Sequence, residues 1–208
     1  MPFDRTAALQ ERLRTDILCG QAPETLLLCE HDPVITLGRH ARAEHVLAPA
    51  EELARRGIAL RHASRGGDVT YHGPGQLVGY PVFRLRPGLV AHMEKMAAAI
   101  VEVLAGLGIS SRWRRDRPGI WVGEDKICAF GVHVRHRVAI HGFALNAATP
   151  AEAWEPIVPC GLPSAGVTSI ARLAGVAPRL VELARATAEA FERSFGVSLQ
   201  PGVPKFDL

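Results

Sequence analysis

The spacing of apolar residues predicts four helices separated by short strands. The clearest helix is 90–108, where apolar side chains recur every three or four positions and Gly108 offers a C-terminal stop. Further helices are predicted at 4–18, 49–56 and 178–195. Helices and strands mix without strict βαβ alternation, which predicts one α+β or mixed α/β domain. Apolar runs bounded by Gly, Pro or Asp predict the strands at 25–29, 34–37, 58–61, 77–83, 119–122, 127–134 and 138–145.

Polar residues and prolines at the ends of these segments predict how the segments begin and connect. Asp4 is a candidate N-cap of the first helix, and Pro178 suits the first position of the last one. Thr168 or Ser169 predicts the start of a further short helix. The turn at 31–33 contains a proline and lies between two apolar runs, so those runs are predicted to pair as strands.

Composition indicates a soluble, single-domain protein. The chain has 208 residues, of which 48% are hydrophobic and 22% charged, and this is ordinary for a globular domain. No apolar stretch approaches the ~18 residues of a membrane span, and the charged segment 1–21 lacks a signal-peptide core. We therefore expect a cytoplasmic protein. The net charge of +3 is mild, and no basic stripe with interleaved aromatics predicts nucleic-acid binding. The arginine-rich run 112–117 is interpreted as a solvated loop.

Four cysteines are spread along the chain, at Cys19, Cys29, Cys128 and Cys160. None of them belongs to a C-x-x-C pair, which excludes the common zinc and thioredoxin-like patterns. Without a signal peptide, free thiols are expected. A thiol of this kind is most often a small buried hydrophobe.

Glycines and polar side chains are concentrated in the segment 65–76. Paired glycines let a backbone approach a ligand closely and present its N–H groups. The segment matches neither a phosphate-binding P-loop nor a dinucleotide-binding fingerprint. A glycine-rich hairpin turn with incidental polar residues explains the glycine count about equally well.

Two further residues have side chains suited to chemistry. Cys160 lies between Pro159 and Gly161, which hold it in a turn with room at its sulfur, although a structural loop cysteine explains the tripeptide as well. A thiolate nucleophile needs a neighbouring cation or base. Lys126 opens an apolar strand and, unlike arginine, can lose its proton. A lysine in this position either extends its ammonium to solvent or presents it to a thiolate or acyl group, and the second alternative makes Lys126 the candidate partner of Cys160.

Taken in chain order, these motifs resemble the lipoyl(octanoyl) transferase family over roughly residues 24–170. The most specific matches are Arg65-Gly66-Gly67-x-x-Thr70-Tyr71-His72-Gly73-Pro74-Gly75-Gln76 and Pro159-Cys160-Gly161. The chain departs from the family pattern at Cys128, where the family usually has a small residue without a thiol. A second thiol near the site is therefore expected. The other matching segments are 24–28, 36–39, 119–122, 126–131, 141–146 and 167–169.

The resemblance implies one catalytic domain over 1–208, with the mixed sheet and flanking helices of biotin and lipoate ligases. It implies that Cys160 takes an octanoyl group from octanoyl-acyl carrier protein, with Lys126 as its activating partner. A lysine of a lipoyl domain, on a 2-oxoacid dehydrogenase subunit or the glycine-cleavage H protein, then accepts the group. No cofactor or metal is implied, and we expect a monomer. The implied acyl pocket is lined by Arg65, Gly66, Gly67, Asp68, Val69, Thr70, Tyr71, His72, Ala129, Phe130, Gly131, Gly142, Phe143 and Ala144.

Two other functions stay open on the sequence alone. An ATP-dependent lipoate or biotin ligase would share the fold, the glycine-rich turn and the lysine, but would have no need of Cys160. A non-enzymatic module that binds acyl groups or lipoyl domains would need neither Cys160 nor Lys126 as a reactive group.

Overall fold

Two β-sheets of unequal size form the framework of the protein in a computed structural model, which describes residues 1–162 and 166–202. The strands are β1 (Thr25–Cys29), β2 (Val34–Leu37), β3 (Ala59–His62), β4 (Val69–His72), β5 (Gln76–Val82), β6 (Arg112–Arg114), β7 (Gly119–Val122), β8 (Asp125–Arg135), β9 (Val138–Asn146) and β10 (Gly166–Val167). The α-helices are α1 (Phe3–Leu18), α2 (Ala50–Arg55), α3 (Leu89–Gly106), α4 (Ile170–Ala174) and α5 (Leu180–Phe195).

The large sheet has the strand order β1-β5-β9-β8-β7-β6 and is antiparallel along this path. The short strand β10 adds to β8 in parallel, so the sheet is mixed. Strand β9 is buried along its whole length and pairs with β5 and β8. Both of its faces are therefore covered, as expected for a central strand.

Helices cover both faces of the large sheet. On one face α1 contributes Leu9 and Ile17, which pack on buried side chains of β1, β5 and β9. On the other face α3 and α5 pack together over the main core, where Ile100 and Phe191 are fully buried. This arrangement confirms the predicted fold class, a mixed sheet flanked by helices.

The small sheet has the order β3-β2-β4, with β2 parallel to β3 and antiparallel to β4. Its apolar side packs with α2 through Ile35, Leu53 and Val69. The prediction that the two strands flanking 31–33 pair with each other is wrong. β1 pairs with β5 in the large sheet, and the turn carries the chain into the small one.

Most predicted elements are present, with differences at their ends. Ser169 caps α4 by accepting the N–H of Arg172, as predicted. Asp4 is not an N-cap, because α1 begins one residue earlier and Pro2 precedes it. Pro178 lies outside α5, whose N-cap is Arg179. No helix in the ranges that the structure describes is both long and apolar enough to cross a membrane.

Candidate active site

A cavity of about 430 Å³ lies where the small sheet meets the large one. This volume is within the ~300–1,000 Å³ range of small-molecule sites. Thirteen of the fourteen residues predicted for the acyl pocket line the cavity, together with Cys160 and Lys126. Those thirteen are Arg65, Gly66, Gly67, Asp68, Val69, Thr70, His72, Ala129, Phe130, Gly131, Gly142, Phe143 and Ala144.

The one predicted pocket residue that does not line this cavity is Tyr71. Side chains alternate along a strand, and β4 directs Thr70 and His72 toward the cavity while Tyr71 points the other way. The Tyr71 ring packs edge-on against Trp154, with ring centroids 5.8 Å apart, in the core of the small sheet.

Small residues on the two central strands make room for the cavity. Ala129 lies opposite Ala144, and Gly131 lies opposite Gly142, on neighbouring positions of β8 and β9. At Gly142 a Cβ atom would lie 2.3 Å from the carbonyl oxygen of Gly79. Any larger residue there would push the strands apart, so this glycine is required by the close approach of β5 and β9.

Cys160 occupies a strained turn at the cavity wall. It lies in a single 3₁₀ turn, Pro159–Gly161, and its own backbone is left-handed, with φ 56° and ψ 19°. Residues with a Cβ atom seldom adopt this conformation, and such strain is common at functional sites. The side chain is half-buried and its thiol is free.

Lys126 borders the same cavity from the large sheet. Its side chain is only 7% exposed, and its Nζ donates to the carbonyl oxygen of Pro118 at 3.4 Å and lies 4.9 Å from the centroid of the Trp121 ring. Lys126 and Cys160 also share a second, smaller cavity of about 10 Å³. The structure therefore brings the two predicted reactive residues to one place, although they are far apart in sequence.

The buried guanidinium of Arg65 is a second cation near the thiol. Its Nη2 donates to the carbonyl oxygen of Thr36 at 2.7 Å, which fixes its position. Burial lowers the pKa of Arg65, and electrostatic interactions with Cys160, Tyr80 and Asp68 act in the opposite direction. A cation held next to a thiolate favours that thiolate, and this place of Arg65 relative to Cys160 was not evident from the sequence.

Two histidines in the cavity wall are neutral. Burial lowers the pKa of His72 and the pKa of His141 to about 3 in each case, with neighbouring cations adding to the effect. His72 Nδ1 lies 2.8 Å from Gln76 Oε1, so this nitrogen carries the proton. These two rings in the cavity wall are thus uncharged, and the ionisable side chains with charges that line the cavity are Arg65, Arg117, Lys126, Asp68 and Asp116.

The sequence predicted a second thiol near the site and a loop over 112–117, and the structure differs on both. The thiol of Cys128 is fully buried on the α3 side of the sheet and burial raises its pKa far above the ordinary value, so it is an inert packing group. The run 112–117 is not a loop throughout, because Arg112–Arg114 forms β6. Arg112 pairs with Glu124 at 3.0 Å and Arg114 with Asp116 at 2.8 Å.

A family model described as the lipoyl protein ligase A/B catalytic domain matches residues 3–192. The chain belongs to this family. An octanoyltransferase of Chloroflexus aggregans is 44% identical over 190 residues, covering 88% of this chain and 86% of that protein. An octanoyltransferase of Solibacter usitatus is 45% identical over 197 residues, covering 93% and 89%. The resemblance found in the motifs is therefore confirmed.

Solved structures of lipoate ligases share the fold. Lipoate-protein ligase A bound with ATP superposes with a TM-score of 0.72 at 17% identity, covering 95% of this chain and 85% of that one. The bipartite lipoate protein ligase of Thermoplasma acidophilum gives 0.72 at 19% identity, covering 95% and 83%. At these identities the likeness concerns the fold alone.

Several cavity residues of this lipoyl ligase family member were not predicted. Phe3 from α1 and Tyr80 from β5 line the cavity beside His72, and the Phe3 and His72 rings stack with centroids 6.5 Å apart. Leu89 and Met93 from α3 line it as well. Phe3, Leu89 and Met93 lie on helices outside the matching motifs, so only the tertiary fold identifies them, whereas Tyr80 follows the 65–76 motif on β5. Within 1–162 and 166–202, no group of three His, Cys, Asp or Glu residues is arranged to hold a metal ion.

Proposed function

We propose that this chain is an octanoyltransferase that moves an octanoyl group from acyl carrier protein to a lysine of lipoyl domains. The name of the relatives at 44% and 45% identity supports an acyltransferase of this specificity. The observation that carries the mechanism is the presence of Cys160, in its left-handed turn, and Lys126 at the wall of one cavity.

The first half-reaction loads the enzyme. The Cys160 thiolate attacks the thioester carbonyl of octanoyl-acyl carrier protein, and the bond from that carbon to the carrier sulfur breaks. The carrier thiolate leaves and takes up a proton from the Lys126 ammonium, which leaves Lys126 neutral for the second half-reaction. Arg65 and Lys126 stabilise the attacking thiolate electrostatically, because both cations are held in a buried setting where solvent screens them weakly.

The second half-reaction transfers the group to nitrogen. The amine of a lysine on a lipoyl domain, of a 2-oxoacid dehydrogenase subunit or the glycine-cleavage H protein, attacks the Cys160 thioester. The carbon–sulfur bond breaks, an amide forms, and Lys126 accepts the proton that the amine loses. Exchange between thioesters is nearly neutral and conversion of a thioester to an amide is downhill, so no ATP is required.

The cavity suits the acyl chain of this donor. Burying each methylene stabilises a bound chain by ~0.8 kcal/mol, so the six methylenes of an octanoyl group contribute roughly 5 kcal/mol.

The N–H of Gly66 already donates to the carbonyl oxygen of Val132 at 3.0 Å and is not available to a thioester oxyanion. The proposal includes a monomer acting in the cytoplasm without a cofactor.

An ATP-dependent ligase is the competing function, since the fold is shared with ligases. It makes no use of Cys160. The deciding experiment incubates the protein with octanoyl-acyl carrier protein and follows the intact mass of the enzyme. We expect an octanoyl mass gain that maps to the Cys160 peptide without ATP, and no gain for Cys160→Ser. Full transfer by Cys160→Ser, with a requirement for ATP, would instead establish the ligase.

The same experiment separates a third possibility, a module that binds acyl groups without reacting. Such a module would retain octanoyl-acyl carrier protein in a complex but gain no mass on Cys160. Transfer to an isolated lipoyl domain would also be absent. Both readouts together therefore distinguish transferase, ligase and binder.

A further inference from the structure

Asp68 connects the start of β4 to the segment 42–45 next to the nucleophile. Its Oδ1 accepts the N–H of Val69 at 2.7 Å and the N–H of Arg42 at 3.3 Å. Its Oδ2 lies 2.6 Å from His45 Nδ1, and because a carboxylate can only accept, that ring nitrogen donates. Both side chains are only 13% exposed. The carboxylate thus fixes the orientation of the His45 imidazole.

The turn that carries Cys160 rests directly on this pair. At Gly161 a Cβ atom would lie 2.4 Å from Asp68 Oδ2 and 3.0 Å from His45 Cε1. The Gly161 backbone is therefore in van der Waals contact with both side chains, and no other residue type fits there. The residue after the nucleophile is pressed against a wall formed by two hydrogen-bonded side chains.

The main chain near His45 holds the other side of the same turn. The carbonyl oxygen of His45 accepts the N–H of Val158 at 2.8 Å, and Leu47 donates to the carbonyl oxygen of Pro156 at 2.7 Å. Val46 and Ile157 complete this short antiparallel bridge. The bridge therefore holds the chain before Cys160, and the Asp68–His45 wall holds the chain after it.

We propose that Asp68 and His45 are positioning residues that hold the Cys160 turn so that its thiol faces the cavity and Lys126. The proposal rests on the proposed function of Cys160. A left-handed backbone at Cys160 is intrinsically disfavoured and persists only where the surroundings impose it. Removing the wall lets the turn relax, which rotates the Cys160 side chain and changes its distance to Lys126. His45 acts through Asp68 and the turn, not as the base.

The test is single-turnover acylation of Cys160 by octanoyl-acyl carrier protein, quenched and read by intact mass. We expect Asp68→Ala and His45→Ala to lower the maximal acylation rate by about 100-fold, since a displacement of about 1 Å costs this much. For His45→Ala the donor concentration at half-maximal rate should stay within about twofold, because His45 does not line the acyl cavity. Melting temperature and circular dichroism report whether each variant is folded.

His45→Asn separates positioning from chemistry. The Asn amide places an N–H near the position of Nδ1 and can still donate to Asp68, but it lacks the rest of the ring. We expect it to recover most of the rate lost in His45→Ala. Arg56→Gln is the control, since it breaks an exposed ion pair between α2 and Glu155, just ahead of the same loop, and should leave the rate within twofold.

Each outcome decides one claim. Equal loss in His45→Asn and His45→Ala would overturn positioning, because it would make the imidazole itself reactive. Wild-type rates in both Asp68→Ala and His45→Ala would also overturn it. If Asp68→Ala does not fold, the two His45 variants decide alone, since they keep the main-chain bridge. No acylation of the wild type would refute the proposed function instead.

Discussion

The left-handed backbone of Cys160 makes a prediction that can be tested without any substrate. In this conformation a residue with a Cβ atom is disfavoured by roughly 1–2 kcal/mol relative to glycine. Glycine loses more chain entropy on folding, by about 0.5–1 kcal/mol relative to alanine. Taking midpoints, we expect Cys160→Gly to be more stable than Cys160→Ala by about 0.8 kcal/mol, with neither variant active.

The assay is thermal or denaturant unfolding of the two variants side by side. For a protein of this size, 1 kcal/mol corresponds to about 2–4 °C in melting temperature, so a gain of roughly 2–3 °C for the glycine variant is expected. Ala98 is the matched position, because it is exposed in the middle of α3. Ala98→Gly should lose about 1 kcal/mol. If Cys160→Gly were also less stable than Cys160→Ala, the turn would not be left-handed and the account of the nucleophile would fail.

Three further predictions concern the charges and thiols of the site. Lys126→Met should lower the rates of both acylation of Cys160 and transfer to the amine. Lys126→Arg should retain more of the acylation rate than of the transfer rate, because arginine keeps the charge but cannot accept a proton. Single-turnover assays of each step measure this, and equal losses of the two rates in Lys126→Arg would contradict it. Cys128→Ala should leave labelling by iodoacetamide unchanged at neutral pH, since the burial that raises its pKa keeps the thiol protonated, and peptide mapping would reveal label on Cys128 if the reasoning were wrong. Because the folded pKa of His141 is lowered to about 3, the unfolded chain binds more protons between pH 3 and ~6.5, so stability falls on acidification through this window. His141→Gln should flatten that fall in urea titrations, by up to ~1.4 kcal/mol per pH unit, and an unchanged slope would argue against a neutral buried histidine.

Local patterns predicted the elements well but not their partners. The apolar runs of β1 and β2 were recognised because alternation and flanking turn residues are local signals. Which strand each one joins depends on contacts far along the chain: Leu27 lies opposite Tyr80 in one sheet, while Ile35 lies opposite Tyr71 in the other. The turn between them favours a hairpin, and the tertiary structure overrides it.

The glycine-rich segment contains a strand pattern that the sequence-based prediction did not use. Its glycines suggested a loop, yet Val69–His72 is a regular buried strand of β-branched and aromatic residues. Had the two-residue period been applied there, Tyr71 would have been assigned to the face opposite Thr70 and His72. Tyr71 was grouped with its neighbours because a run of family-motif residues was treated as one surface.

The reactive residues lie on different parts of the fold, which explains both the success and the limit of the motifs. Cys160 lies on a loop held by the segment 45–48 and by Asp68 of the glycine-rich segment, whereas Lys126 lies on the large sheet. Each motif therefore marks one part of the cavity wall between the two sheets. Motifs that follow one another in the family order imply that the whole cavity is present. The supports of the loop are marked only in part: Asp68 lies at an unspecified position of the 65–76 motif, whereas His45 lies 23 residues away and outside every matching segment. Under the proposed mechanism, transfer depends on how firmly the loop is held against the large sheet, so the residues that support the loop are expected to determine how well Cys160 and Lys126 act together.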